Sequence, residues 1–261
     1  KKSGKWREVS WKEALSVVAE KTHSVLRTSP SEVATLVSPN VCMEDGYALS
    51  ELMRSFGCQN IDHRLHMGKM KAGVGLGAVS EIPEGIECLG QVDAVLLLGC
   101  HIRHEAPMAG YWLRKAALAG AEVFSVNPAR YQVQFSLAGE CLAIGEEYVQ
   151  WMLGVFKAYK EQEGIEENRL KMLSAKTRQY IDQAEIMPEM RAFVEAWLSA
   201  KAPVLMLGAY AQSLECWQEL AYLASQWVSL MQKGRILHVQ PGCNALGLHQ
   251  VGAVPHLDAS G

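Results

Sequence analysis

Hydrophobic positions along this chain fall into two kinds of run, and their alternation sets the expected architecture. Short, almost unbroken apolar runs occur at Asp93 to Leu98, Ala121 to Val126, Pro203 to Leu207 and Arg235 to Gln240. They are too short for helices and have no polar face, as expected of parallel strands covered on both sides. Between them the apolar residues recur at helical spacing. Leu49, Leu52, Met53 and Phe56 form one such face, closed by Gly57. Val149, Met152, Val155, Phe156 and Tyr159 form a second; Met190, Phe193, Val194, Trp197 and Leu198 a third; Leu214, Trp217, Leu220, Ala221, Ala224 and Trp227 a fourth. Tryptophans 112, 151, 197, 217 and 227 lie on such faces and are expected in the core.

The clearest unit runs from Val92 to Arg130. A strand ends at Gly99. A helix follows with Pro107 in its first turn, Glu105 near its positive end, Arg114 and Lys115 toward its negative end and Gly120 as its cap. A second strand stops at Asn127-Pro128. This is a βαβ unit, so the fold class is α/β with a mostly parallel sheet. Upstream, Ser10-Trp11-Lys12-Glu13 has capping-box spacing, with Leu15, Val18, Val25 and Leu26 on the helix it opens. Glu32 to Val37 and Gln59 to His63 read as extended, and Tyr131 to Leu142 has room for a short strand. Residues 64 to 91 are loop-like, with six glycines and Pro83. Lys160 to Met187 is strongly polar and reads as an exposed connection and a boundary zone. The tail GCNALGLHQVGAVPHLDASG reads as glycine-rich loop.

Charge and composition exclude more than they select. A net charge of −3 gives no electrostatic case for nucleic acid or an anionic membrane surface. No apolar run approaches the roughly 20 residues that cross a bilayer. The basic start KKSGKWREVS has no apolar signal region, and both ends suggest a piece of a longer polypeptide. Cysteines 42, 58, 88, 100, 141, 216 and 243 are widely and irregularly spaced, without C-x-x-C. Such spacing argues against a zinc site or an iron–sulfur cluster held by these residues alone, and suits reduced structural thiols.

The candidate sites are thin. Gly73-x-Gly75-x-x-Ala78 matches the loose dinucleotide fingerprint, but HMGKMKA before it makes no buried strand. Asp62, His63 and His66, and separately His101 and His104, invite a metal, yet neither set supplies three ligands at a known spacing. There is no G-x-S-x-G elbow and no Walker loop. From motifs alone, no catalytic, cofactor-binding or metal residue is assigned.

Whole phrases say more than these motifs. GKWREVSWKEAL and CMEDGYALSELMRSFGCQNIDHR resemble successive blocks of molybdopterin oxidoreductases, the first of them just after the iron–sulfur segment. Asn60-Ile61-Asp62-His63-Arg64, the Val92–Pro128 unit and GCNALGLHQVGAVPH are similar to one branch of that superfamily. It is the family of the large peripheral-arm subunit of bacterial NADH-quinone oxidoreductase, respiratory complex I. The resemblance implies two Rossmann-like doubly wound domains of the formate dehydrogenase and DMSO reductase type, one inserted in the other. Residues 1–64 with 181–261 would form one domain and 65–180 the insert. In the enzymes of the superfamily a molybdenum or tungsten pterin lies between such domains on a Cys, Ser or selenocysteine ligand. Here the corresponding positions are Met67, Gly68, Lys69 and Met70, none of which supplies that ligand.

The resemblance therefore implies a cofactor-less structural scaffold within an NADH dehydrogenase that passes electrons to quinone and pumps protons. Its 2Fe-2S and 4Fe-4S clusters would lie in the N-terminal part of the subunit. Its partners would be other peripheral-arm subunits, on the cytoplasmic side of the bacterial inner membrane, with no nucleic acid and no inserted segment. The alternative is part of a formate dehydrogenase-like enzyme that binds a molybdenum or tungsten pterin. The space beside Gly99, Asn127 and Asn244 is where an ancestral groove would be open or collapsed.

Overall fold

The computed structural model describes residues 4, 6–64, 85–162, 167–240 and 242–255. The chain divides into two compact units, Lys1–Leu65 with Gly242–Gly261, and His66–Pro241.

In the first unit Ser10 accepts a hydrogen bond from the Glu13 N–H at 3.2 Å, so the expected cap opens helix α1 (Trp11–Thr28). Of the residues on that helix only Leu26 is buried, while Trp11, Leu15 and Val18 are 83, 60 and 60 % exposed. The strand expected over 32–37 shortens to β1 (Thr35–Leu36), because Pro30–Glu32 coils into a 3-10 turn. After α2 (Met43–Ser55), β2 (Ile61–Asp62) pairs in parallel with β1. The tail is not all loop: Ala245–Gln250 is a helix. Leu248 packs with Val37, Ile61 and Ala253, and a Cβ on Gly46 of α2 would collide with Leu248. The Arg54 guanidinium ties the tail down, donating to the Gly252 and Val254 carbonyls at 3.2 and 2.7 Å.

The second unit is built on the expected βαβ motif. Strand β3 (Ala94–Leu98) is followed by a single turn, α3 (Ile102–Glu105), then α4 (Pro107–Leu118) and β4 (Glu122–Asn127). Strand β5 (Gly139–Leu142) lies within the mixed stretch after Asn127-Pro128. Helices α5 (Glu147–Lys160), α6 (Glu167–Leu170), α7 (Ala175–Gln183) and α8 (Pro188–Ser199) lead to β6 (Val204–Leu207). Then come α9 (Ala209–Ser213), α10 (Trp217–Met231) and β7 (Arg235–His238). The sheet is all parallel, in the order β5-β4-β3-β6-β7, with Leu96 of β3 opposite Phe124 and Leu205.

Because side chains alternate along a strand, each strand feeds two cores. Leu96, Leu98, Phe124, Leu205 and Leu207 join α5, α8 and α10, where Phe193, Trp197 and Trp227 meet in tilted and edge-on ring pairs 5.5–6.0 Å apart. Val95, Leu97, Val123, Met206 and Leu237 pack beneath α4. Trp151, Trp197, Trp217 and Trp227 are buried as expected, and Trp112 packs half-buried against the second face.

Two expectations need correction here. The stretch from 160 to 187 is not a connection between domains, since Leu170, Leu173, Ile181 and Ala184 are buried in the first core. The boundary placed near 180 consequently falls inside the larger unit. Of the strands in the C-terminal third, β6 pairs with β3 and β7 with β6 rather than with the N-terminal third, and only 242–261 joins residues 1–65. Hydrogen bonding to β3 outweighs the polar composition that suggested a break.

Candidate functional site

Connections from β3 run to β4 and β5 on one side, and β6 and β7 lie on the other. The strand order therefore reverses between β3 and β6, and ligands of open α/β sheets collect outside the carboxyl ends of strands at such a point. Two glycines end these strands. Gly99 has φ +55°, and a Cβ there would lie 2.5 Å from the Ala211 nitrogen. A Cβ on Gly208 would collide with the Gly99 carbonyl oxygen and Cys100 Cα. Only glycine lets the two loops approach this closely. The Gly208 N–H donates to Leu98 O at 2.9 Å and the Tyr210 N–H to Gly99 O at 3.2 Å.

Glu105 sits where those loops meet. Its carboxylate accepts the His101 N–H at 2.6 Å and the Ala209 N–H, at the start of α9, at 2.7 Å. Burial pushes its pKa above the ordinary carboxylate value, and the two amides pull the other way. The His101 ring stacks on Tyr131 at 4.0 Å and tilts against His104 at 4.3 Å. Burial, then the nearby His104 and Arg103, hold His101 below the usual histidine pKa. Burial pushes the Tyr131 and Tyr148 hydroxyls upward, and Tyr148 lies 5.8 Å from Tyr210, ring to ring. The group therefore comprises one carboxylate with both oxygens engaged, two imidazoles and three phenols.

Two buried amides complete the sheet end. Asn127 Nδ2 donates to Ser125 Oγ at 2.8 Å and to Cys100 O at 3.4 Å, while its Oδ1 has no hydrogen-bond partner among the described residues. Gln212 Nε2 bridges Leu207 O and Val239 O at 3.0 and 2.8 Å, and its Oε1 is likewise unpartnered. Burial raises the Cys100 thiol well above its ordinary value, so it is not a thiolate nucleophile. His238, at the end of β7, is lowered to about 4 by burial alone.

The residues singled out from sequence form no metal-ligand set among the described residues. Asp62 forms a two-pronged ion pair with Arg64 at 2.9 Å. Burial alone would raise that carboxyl, but Arg64 outweighs it and holds it below the ordinary range. His63 is 3 % exposed, with Nδ1 3.0 Å from Ala253 O, which gives it a structural partner within its unit. His101 and His104 are neighbours without a third ligand, and no metal-ligating group of three His, Cys, Asp or Glu exists among the described residues. His66, Met67, Gly68, Lys69, Met70 and the Gly73-x-Gly75-x-x-Ala78 loop lie outside the described residues. Asn244 donates to Val41 O at 2.8 Å and, with Asn40, fixes the turn into the last helix of the smaller unit. Sequence reasoning missed Glu105 as a bridging group, and Tyr131, Tyr148 and Tyr210 altogether. Their meeting depends on residues up to about a hundred positions apart, so no local signal marked it.

A pyrophosphate at this sheet end would be recognised by free backbone N–H groups in the loops after the strands. At the β3–β6 junction the N–H groups of His101, Gly208, Ala209 and Tyr210 all have internal acceptors. A negative charge, Glu105, already stands at two of them. These four N–H groups are therefore already taken and are not free to receive a pyrophosphate. What the junction leaves unfilled are two acceptors, Asn127 Oδ1 and Gln212 Oε1.

Comparison with known proteins agrees with the architecture. The family model described as molybdopterin oxidoreductase matches residues 1–154. The alpha subunit of F420-dependent formate dehydrogenase 2 of Methanococcus maripaludis is 29 % identical over 132 residues, 49 % of this chain and 19 % of that protein. The mitochondrial NADH dehydrogenase [ubiquinone] iron-sulfur protein 1 of Solanum tuberosum is 30 % identical over 133 residues, 48 % of this chain and 16 % of that protein. Both matches span a fifth or less of those relatives. Among solved structures, acetylene hydratase from Pelobacter acetylenicus superposes with a TM-score of 0.64 at 11 % identity, over 88 % of this chain and 33 % of that one. The last likeness concerns fold alone.

Proposed function

Because the chain belongs to the molybdopterin oxidoreductase family, we propose that it is part of the large iron–sulfur subunit of an NADH-quinone oxidoreductase and serves there as a scaffold without a cofactor of its own. The observation that carries this reading is Glu105. Its carboxylate takes the His101 and Ala209 amides, and internal carbonyls take those of Gly208 and Tyr210. A strand junction with these four donors engaged internally is suited to rigidity rather than to a phosphate-bearing ligand. The similarity to the potato iron-sulfur protein 1 points the same way. In this reading the 2Fe-2S and 4Fe-4S clusters belong to the rest of the subunit. The body described above packs against other peripheral-arm subunits, on the cytoplasmic side of the inner membrane. No helix among the described residues is long and apolar enough to cross a membrane, consistent with a peripheral place.

A second reading is favoured by different observations. Formate dehydrogenase alpha subunits are among the relatives, and Asn127 Oδ1 is a buried acceptor that a ligand N–H would satisfy. In that case the protein is a molybdopterin-dependent oxidoreductase, and a bound pterin would supply its redox chemistry. Elemental analysis of the full-length protein, purified without chelator, separates the two. Iron without molybdenum or tungsten is the expected result, whereas one molybdenum or tungsten per polypeptide overturns the scaffold reading.

A further inference from the structure

Away from the β3–β6 junction, a cavity of about 300 Å³ opens between one side of α4 and the segment 133–135. Pro107, Gly110, Tyr111 and Arg114 line it from successive turns of α4, as their spacing of three and four requires. Arg103 of α3 and Gln134 also line it, and Phe135, with the almost fully buried Ile102 behind it, makes its lining partly apolar. Arg103 and Arg114 thus both line one cleft, and neither is in a hydrogen bond or ion pair with any described residue. Two nearby acidic side chains are engaged elsewhere: Glu105 with the His101 and Ala209 amides, Glu140 with Arg130 at 3.3 Å. At Gly110 there is room to spare, since an added Cβ would come no closer than 3.7 Å to Ile102.

We propose that this cleft binds a small organic anion, with a phosphate or carboxylate head held by Arg103 and Arg114 and an apolar or aromatic body lying over Ile102 and Phe135 beside Tyr111. The chemistry follows from the parts. Guanidinium forks match the oxygen geometry of both head groups, and a partly apolar lining strengthens the charge-assisted hydrogen bonds beside it. Tyr111 and Gln134 add donors at the rim. The proposal does not depend on the reading of the β3–β6 junction.

Calorimetric titration of the chain with phenyl phosphate, benzoate and inorganic phosphate tests it. Phenyl phosphate or benzoate should bind saturably and more tightly than inorganic phosphate, and the tighter of the two identifies the head group. Arg114→Gln should weaken that probe about tenfold or more, the loss expected for one charge-assisted hydrogen bond. Gly110→Leu should remove the preference for the aromatic probes while leaving the weaker binding of inorganic phosphate, with far-ultraviolet circular dichroism confirming that both variants fold. Absence of saturable binding by all three probes, or equal affinity in an Arg103→Gln/Arg114→Gln double variant, overturns the proposal. Equal affinity for inorganic phosphate and the aromatic probes overturns the apolar subsite.

Discussion

Replacing Glu105 with alanine asks directly whether the β3–β6 junction is held by an internal anion. The substitution removes the acceptor of the His101 and Ala209 N–H groups, at 2.6 and 2.7 Å, in a half-buried place where water replaces it only in part. Hydrogen bonds to a charged group contribute about 1.5–3 kcal/mol each, and a buried donor left unpaired carries its own penalty. Against this stands the cost of burying the carboxylate, visible as its raised pKa. A net loss of about 2–4 kcal/mol follows. Urea unfolding followed by tryptophan fluorescence is a suitable assay, because Trp151, Trp197, Trp217 and Trp227 are all buried in the unit concerned. The pH dependence adds a second signature. For a carboxyl whose folded pKa is raised, the unfolded chain releases its proton first. Its contribution is therefore fully present below the unfolded value and declines as pH rises through the folded one. The stability gap between wild type and Glu105→Ala should shrink as pH climbs from about 4.5 toward neutrality. A variant within about 0.5 kcal/mol of wild type at every pH would refute the bridging role, since that is the scatter of ordinary surface substitutions.

Other expectations rest on separate parts of the structure. Leu97 is 1 % exposed on the central strand, so Leu97→Ala should cost about 2–5 kcal/mol in the same unfolding assay. Gly208→Ala would place a methyl against the Gly99 carbonyl and Cys100 Cα, backbone atoms that cannot turn aside. It should cost about 1–3 kcal/mol or more and lower the melting temperature clearly. His238 is lowered to about 4 by burial, so the unfolded chain takes up its proton first as pH falls. Stability should drop between about pH 6.5 and 4, and a His238→Gln variant should show a shallower drop, measured as melting temperature against pH.

How much of this was legible in the sequence depended on whether a residue's partners were local. The β3–α4–β4 unit was readable because strands buried on both faces are apolar throughout, and because turn and cap residues mark their ends. The helical faces of α5, α8 and α10 followed from periodicity, whereas Tyr131 to Leu142 was mixed and offered only room for the short strand found at Gly139–Leu142. The 160–187 stretch misled because its anchors are few and scattered: Leu170, Leu173, Ile181 and Ala184 sit among many polar residues. The tail helix Ala245–Gln250 was hidden by Gly247 in its middle. That glycine is required because a Cβ there would run into Asn244 Oδ1 and approach Met43 at 3.0 Å. Glu105 was visible only as a favourable charge near a helix start. Its second partner, the Ala209 amide, lies 104 residues further along the chain, a relation that only pairing of β3 with β6 creates. The polar contacts at the sheet end were therefore the least legible part, and they are the part on which the proposed scaffold reading turns.

This α/β body belongs to the molybdopterin oxidoreductase family, while four amide donors at its β3–β6 junction have internal acceptors. The decisive quantity is the pterin released when the full-length protein is denatured and oxidised, quantified by fluorescence against protein concentration. A scaffold without a cofactor should release none above the level of a pterin-free control protein. One or two pterin equivalents per polypeptide would contradict the scaffold reading.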